Sequence, residues 1–385
     1  MMKDVFVVSD NIISPVGITA DANFHALLNN ESGVKEQLMP SVSATPFYAS
    51  LFTNEIYRDK SAAVDGYTKF EQLIISSVSD ALQNSGINIQ SAETILIISS
   101  TKGNVSILET EEINAEAKQR IGLYTSANKI SAYFKVQNNP IIISNACISG
   151  LTALLTGKRL LEMEKYKHAV VVGADIISSF ILSGFQSFQA ISALPCKPFD
   201  EARNGINLGE AAATIILSSE IKNKPVKLTP VKITGGAITN DANHISGPSR
   251  SGQELCIAIN KAMKQANVSA ADIGFISAHG TATVYNDEME AKAFSLAAME
   301  AIPLNSLKGY YGHTLGAAGI VESVIAVHCL QQQKMIATKG FQHAGVSKPV
   351  NVCKETMELA TNHCLKTASG FGGCNAALVF SRSLS

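Results

Sequence analysis

Several stretches of this chain are apolar at nearly every position: "TILIISS" (94–100), "HAVVVGAD" (168–175) and "AAATIILSS" (211–219). A strand shows an unbroken apolar run when both of its faces are covered, so these runs predict strands of a buried sheet. The N-terminal "VFVVSDNIIS" from Val5 predicts another strand. Between them, "LTALLTGKRLLEMEKY" (151–166) shifts to helical spacing with polar positions on one side. The alternation of strand and helix patterns argues for α/β layering. "SSEIKNKPVK" (218–227) is the polar, proline-containing stretch that looks most like a boundary, dividing the chain into halves 1–220 and 221–385.

The two halves echo each other in order. "VFVVSDNIIS" is followed in the second half by "VKITGGAITN", and "ALQNSGINIQSAETILIISST" by "AMKQANVSAADIGFISAHGT", each of the latter pair reading helix, turn, strand. "NACISGLTALL" matches "YGHTLGAAGIV", which sets Cys147 opposite His313, and "GEAAATIIL" matches "GGCNAALVF". Generic βα patterning produces single matches of this kind. Four in one order argue for an internal duplication.

Composition narrows the class. Of the 385 residues, 46% are hydrophobic and 16% charged, so a large core is expected. The net charge of −1 offers no electrostatic attraction to nucleic acid or an anionic membrane. The N-terminal apolar run is too short for a signal segment, and no run of about 18 apolar residues suggests a membrane span. The seven cysteines are scattered, odd in number and without a C-x-x-C pair. That argues against a disulfide framework or a cysteine-rich zinc site and predicts a reduced, cytoplasmic protein.

Cys147, in "SNACISG", falls where a buried strand turns into a helix. A helix N-terminus favours the thiolate, and Gly150 permits close backbone approach in the first turn. By position alone, a lone cysteine there is ordinarily a packing residue. Partners are available in "ISAHGTATVYND", with His279, Thr281 and Thr283, and in "LKGYYGHTLGAAGIVE", with Lys308, His313 and Glu322. Neither histidine belongs to an H-x-x-x-H pair and the two are far apart along the chain, which weakens a metal reading. "SGFGGCNAAL" (369–378) places three glycines in a turn before a strand, a geometry suited to offering backbone N–H groups to an oxyanion.

Taken together, the ordered segments "IISPVG", "NACISG", "KPFDEARNGINLGEAAA", "DANHISGP", "AHGTATVYNDEMEA", "LKGYYGHTLGAAGIVE" and "SGFGGCNAALVF" resemble the β-ketoacyl-[acyl-carrier-protein] synthases. The similar branch is the elongating one with a Cys-His-His site, in the thiolase-like superfamily. The resemblance implies two similar halves in a five-layered α-β-α-β-α core. It implies Cys147 as the acyl-accepting nucleophile, with His279 and His313 holding the enolate that forms when a malonyl thioester loses carbon dioxide. Lys308 would support the histidines, paired with Glu322. The backbone N–H groups of Cys147 and Phe371 would form the oxyanion hole, and the Phe371 ring would gate the acyl pocket. Thr281 and Thr283 would hold the phosphopantetheine arm of an acyl carrier protein, and no cofactor or metal is implied. A dimer is expected, with itself or with a related chain.

Several positions depart from the family pattern. Ser369 stands where an aromatic is usual and should enlarge the gate, whereas Ile148, beside the nucleophile, should narrow the acyl channel. Thr367 and Cys374 replace Asn and Thr, and Asn207 takes a usually apolar position. Arg58, Lys60 and Arg203 are candidate carrier-protein contacts. Two other readings share the fold: a thiolase using Cys374 on acyl-CoA, and a catalytically silent partner subunit that tunes chain length.

Overall fold

The computed structural model describes residues 3–52, 66–220 and 229–383. Arg58, Lys60 and most of the 218–227 boundary stretch lie outside these residues.

Among the described residues, eleven strands form one hydrogen-bonded sheet. They are β1 (Phe6–Ile13), β2 (Thr94–Ser99), β3 (Ile141–Ile143), β4 (His168–Asp175), β5 (Ala211–Ser218), β6 (Val231–Asn240), β7 (Phe275–Ser277), β8 (Pro303–Asn305), β9 (Asn351–Val352), β10 (His363–Gly370) and β11 (Cys374–Arg382). Their spatial order is β9-β8-β7-β10-β11-β6-β1-β5-β4-β2-β3. The predicted runs are strands, and β2, β4 and β5 are buried at every position.

The order contains the duplication. In the first half, β1, β5 and β4 pair antiparallel, and β4, β2 and β3 pair parallel. In the second half, β6, β11 and β10 pair antiparallel, and β10, β7 and β8 pair parallel, with β9 added at the edge. The halves join where Phe6 faces Lys232 and Val7 faces Val231. Each of the four sequence echoes therefore occupies corresponding places in the two halves.

Helices complete the layers. The helix α1 (Lys69–Gln83), opened by a capping box between Thr68 and Glu71, covers the first-half strands. The helices α2 (Ser149–Glu162) and α6 (Ala318–Gln332) each touch strands of both halves and form the middle layer. The helix α4 (Gln253–Ala266) presents Leu255, Ile259, Ala262 and Met263 on one face, a helical apolar stripe, to the second-half strands. Two shorter elements, α3 (Ser179–Ser187) and α5 (Val284–Leu296), border the site described below. The helix α6 is enclosed on all sides and apolar at most positions, with Glu322, Ser323 and His328 buried among them. The helical stretch Leu315–Gln332 is long and apolar enough to cross a membrane, yet 89% of it is buried inside the protein.

Candidate active site

Two turns built the same way aim the first two side chains. Before α2, Ala146 adopts φ +44°, an uncommon left-handed value for a residue with a side chain, and Cys147 follows it. Ser149 braces the turn, accepting from Asn145 N at 2.8 Å and donating to Ala146 O at 2.6 Å. In the second half Gly312, at φ +65°, immediately precedes His313. The His313 backbone is fixed to the neighbouring chain, its N–H donating to Asn207 O at 2.7 Å. The side chain of Asn207, the polar residue at a usually apolar position, accepts from Cys196 N at 2.6 Å and donates to Leu194 O at 3.1 Å. Asn207 thus ties the 192–196 segment to the turn that carries His313.

His279 arrives from a third direction, just past β7. Glu290 on α5 accepts from His279 N at 2.9 Å and Gly280 N at 2.7 Å, and Asp287 accepts from Thr281 N at 2.9 Å. The ligand atoms of Cys147, His279 and His313 all lie within 4.8 Å of one another. The two imidazole rings stand edge to face, with centroids 5.3 Å apart. Separation along the chain therefore says nothing against a shared site, and by spacing alone the three atoms could hold a metal ion. The charges behind them disfavour a cation, because two buried lysines there share one glutamate.

Those lysines are Lys308 and Lys366. Glu322 on α6 takes Lys308 Nζ at 2.6 Å and Lys366 Nζ at 2.7 Å on its two oxygens. Lys308 also donates to His279 O at 2.9 Å and lies 3.4 Å from His279 Nδ1. An ammonium only donates, so Nδ1 accepts and the ring proton sits on Nε2. Burial, then the Lys308 and His313 charges, hold the pKa of His279 well below its ordinary 6.5. Burial, then Lys308 and Lys366, do the same for His313. Both rings are therefore neutral N–H donors at neutral pH. Neither ring nitrogen of the buried His313 has a hydrogen-bond partner among the described residues.

Burial, with Cys374 adding to it, pushes the Cys147 thiol up to about 12, while Lys308 and the hydrogen bond donated by Phe371 N–H act in the opposite direction. At rest Cys147 is therefore a thiol. Phe371 N–H already points at the sulfur, and the Phe371 ring lies between Phe185, stacked at 5.7 Å, and Phe188, edge-on at 5.3 Å.

A pocket of about 450 Å³ opens onto this cluster. Cys147, His279, His313, Thr281, Thr283, Ser369 and Phe371 all line it. The hydroxyls of Thr281 and Thr283 are 2.8 Å apart, and Ser369 donates to Asn375 Oδ1 at 2.7 Å. Ile148 is not part of the lining. It is fully buried at the start of α2 among core residues such as Leu151 and Leu154, so it does not narrow this pocket. Cys374 is also outside the lining, its sulfur directed to Phe371 O at 3.4 Å. Arg203, offered as a carrier contact, is occupied by the carbonyls of Asp200 and Gly345.

Lys366, Glu290 and Asp287 were not singled out from sequence. A lysine inside the strand "HCLKTASG" and two carboxylates three residues apart in "NDEME" were the available signals.

Two family models match nearly end to end: "Beta-ketoacyl synthase, N-terminal domain" over residues 2–223 and "Beta-ketoacyl synthase, C-terminal domain" over residues 231–342. The chain belongs to the beta-ketoacyl synthase family. Curated relatives of this ketosynthase include 3-oxoacyl-[acyl-carrier-protein] synthase 2 of Vibrio cholerae serotype O1, 28% identical with 99% of each chain covered. The enzyme of the same name from Vibrio harveyi is 27% identical, again over 99% of each. Among solved structures, the ketosynthase ApeO in complex with its chain length factor ApeC from Xenorhabdus doucetiae superposes with TM-score 0.84 at 22% identity, covering 99% of this chain and 98% of that one. A beta-ketoacyl synthase from Burkholderia phymatum gives 0.87 at 22% identity, covering all of both chains. The fold is accordingly the thiolase-like one, and the ketosynthase is an acyltransferase of the condensing kind.

Proposed function

We propose that this ketosynthase extends acyl chains carried on an acyl carrier protein, as a 3-oxoacyl-[acyl-carrier-protein] synthase. The carrying observation is the convergence of Cys147, His279 and His313 within 4.8 Å at the base of one pocket. The Cys147 sulfur attacks an acyl thioester, and its proton leaves with the departing pantetheine thiol. The N–H groups of Cys147 and Phe371 hold the oxyanion, and Thr281 and Thr283 hold the arm. Malonyl carrier thioester then binds, and Nε2–H of His279 together with the His313 ring donates to its carbonyl oxygen. Loss of carbon dioxide leaves an enolate there. The enolate carbon bonds to the acyl carbonyl, the C–S bond to Cys147 breaks, and the sulfur regains a proton as the 3-oxoacyl product leaves. Each such donor typically lowers the barrier by about 2.7–4 kcal/mol.

The reading requires no resident cofactor, because the substrates bring phosphopantetheine with them. The protein partners are a carrier protein and a second ketosynthase chain, either a copy or a relative as in the ApeO–ApeC complex. Seven free, buried cysteines fit a reducing cytoplasm. The pathway is fatty acid, aryl polyene or polyketide synthesis. The occupied positions of Cys147, His279 and His313 disfavour a silent subunit, and the placement of Cys374 outside the pocket disfavours a thiolase.

Intact-protein mass tests the proposal. Acyl carrier protein bearing short, long or polyene chains should add one acyl group at Cys147. Malonyl carrier protein should then discharge it as a 3-oxoacyl product. A folded protein that gains no mass from any acyl donor overturns the reading.

A further inference from the structure

We propose that Lys366 is a positioning residue for the condensation. It shares Glu322 with Lys308, holds Lys308 against His279, and adds a second buried ammonium behind the two histidines. The inference rests on the ketosynthase reading above and adds to it a residue that the Cys-His-His pattern does not contain.

The geometry is specific. Lys366 sits on β10 with no exposed side-chain surface. Each Glu322 oxygen is claimed by a different lysine, Oε1 by Lys308 at 2.6 Å and Oε2 by Lys366 at 2.7 Å. The carboxylate lies between two opposed ammonium charges, hydrogen-bonded to Lys308 and ion-paired with Lys366, and this arrangement keeps Lys308 beside His279. Lys366 also donates to Thr367 O at 2.7 Å, Ser277 O at 3.1 Å and Ala278 O at 3.3 Å. The last two are the carbonyls of the residues that lead into His279. One side chain thus fixes both the support of His279 and the strand that delivers it.

Its charge is also informative. Burying an ammonium is costly, and one lysine would suffice to neutralise Glu322. Methionine or leucine would fill the same space in β10 without that cost. A second ammonium adds positive charge in a water-poor interior that also holds Glu290, and a fixed charge there acts strongly on charge that develops nearby. The enolate oxygen, held by His279 and His313, is where negative charge develops. The same ammonium resists protonation of the two rings, which must stay neutral to donate and accept as the reaction requires.

The other ionisable groups around the rings are few. Glu290 and Asp287 on α5 hold the backbone of residues 279–281, and Asp175 on β4 accepts from Gly316 N, near His313. Cys147 faces the rings from α2, while Asp241 and His244 line the same pocket. Of all these groups, Lys308 and Lys366 are the cationic ones whose charge opposes protonation of His313.

The test compares wild type with Lys366→Met and Lys366→Gln in two assays over pH 5–9. One measures Cys147 acylation by mass; the other measures release of carbon dioxide from malonyl carrier protein. Gln keeps a donor for the strand carbonyls without the charge, which guards against a packing defect in the Met variant. The proposal expects carbon dioxide release to fall about tenfold more than acylation in both variants. It also expects the acid limb of the rate profile to move to higher pH, because the histidines then protonate more readily. A wild type that neither acylates nor condenses defeats the ketosynthase reading itself. Variants matching wild type, or slowed equally at every pH with an unmoved acid limb, overturn the role of Lys366 while leaving that reading intact.

Discussion

Gly150 of α2 and Gly319 of α6 meet where the two middle helices cross. A Cβ on Gly150 would lie 2.8 Å from Ile320 N, and one on Gly319 would lie 2.6 Å from Leu151 N. Side chains do not fit at those distances, so the absence of one at each position lets the helix backbones touch. This contact sets the spacing of the turns that precede the helices, and those turns carry Cys147 and His313. Gly319→Ala should therefore cost about 1–3 kcal/mol in urea unfolding through overpacking. It should also slow condensation by about a hundredfold through sub-ångström misplacement of the reacting groups. A fully active, fully stable variant would show that the crossing does not set the site.

Cys147→Ala removes a small, nearly buried side chain from a turn braced mainly by Ser149 and backbone contacts. Its unfolding free energy should stay within about 1 kcal/mol of wild type. Acyl transfer should vanish in an intact-mass measurement, and an adduct at unchanged stoichiometry would assign the nucleophile elsewhere.

Glu322→Gln takes from Lys308 and Lys366 the carboxylate they share. Breaking a buried pair in this way typically costs about 3–5 kcal/mol. Urea unfolding should show a loss of that order. A loss below about 1 kcal/mol would mean that the lysines lose charge or reach water.

The neutral histidines make stability pH-dependent. In the unfolded chain they protonate near 6.5, while in the folded protein burial and the neighbouring lysines hold both well below that value. Below 6.5 the unfolded state binds more protons, so stability falls as pH falls, by up to about 1.4 kcal/mol per pH unit per histidine. Asp287 opposes this trend: burial raises its pKa to about 7, so acidification between there and 3.8 favours the folded form. The difference between wild type and His313→Asn isolates the histidine contribution. Wild type should lose more stability than the variant between pH 7 and 5.5, and identical slopes would rule out a buried neutral His313.

Ser369 lines the same pocket as Phe371 and is small where the family pattern has an aromatic. The wild-type enzyme should accept rigid, polyene or aryl-bearing chains as readily as saturated ones. Ser369→Phe should remove that tolerance in competition assays while short saturated chains continue to acylate Cys147. A wild-type preference for long saturated chains would contradict the idea.

The strands and the duplication were legible in the sequence because burial on both faces leaves unbroken apolar runs, and because corresponding runs recur in the same order. Cys147, His279 and His313 stood out as candidates for a related reason: each adjoins a small-residue turn at an element end, and the structure brings the three together. Ile148 packs into the core and does not line the pocket; adjacency to Cys147 does not reveal which way the first helical turn points. Lys366 was missed because its neighbours along the strand are ordinary.

Local order along the chain thus determined the elements, their repetition and the reactive residue types. The tertiary structure decided which distant groups meet: β7, β10 and α6 deliver His279, Lys366 and Glu322 from positions up to 87 residues apart in sequence. The protonation states were decided there too. A histidine is neutral, or a carboxylate shared, because of the charges and the depth of burial around it, and those come from chain segments that sequence proximity does not connect.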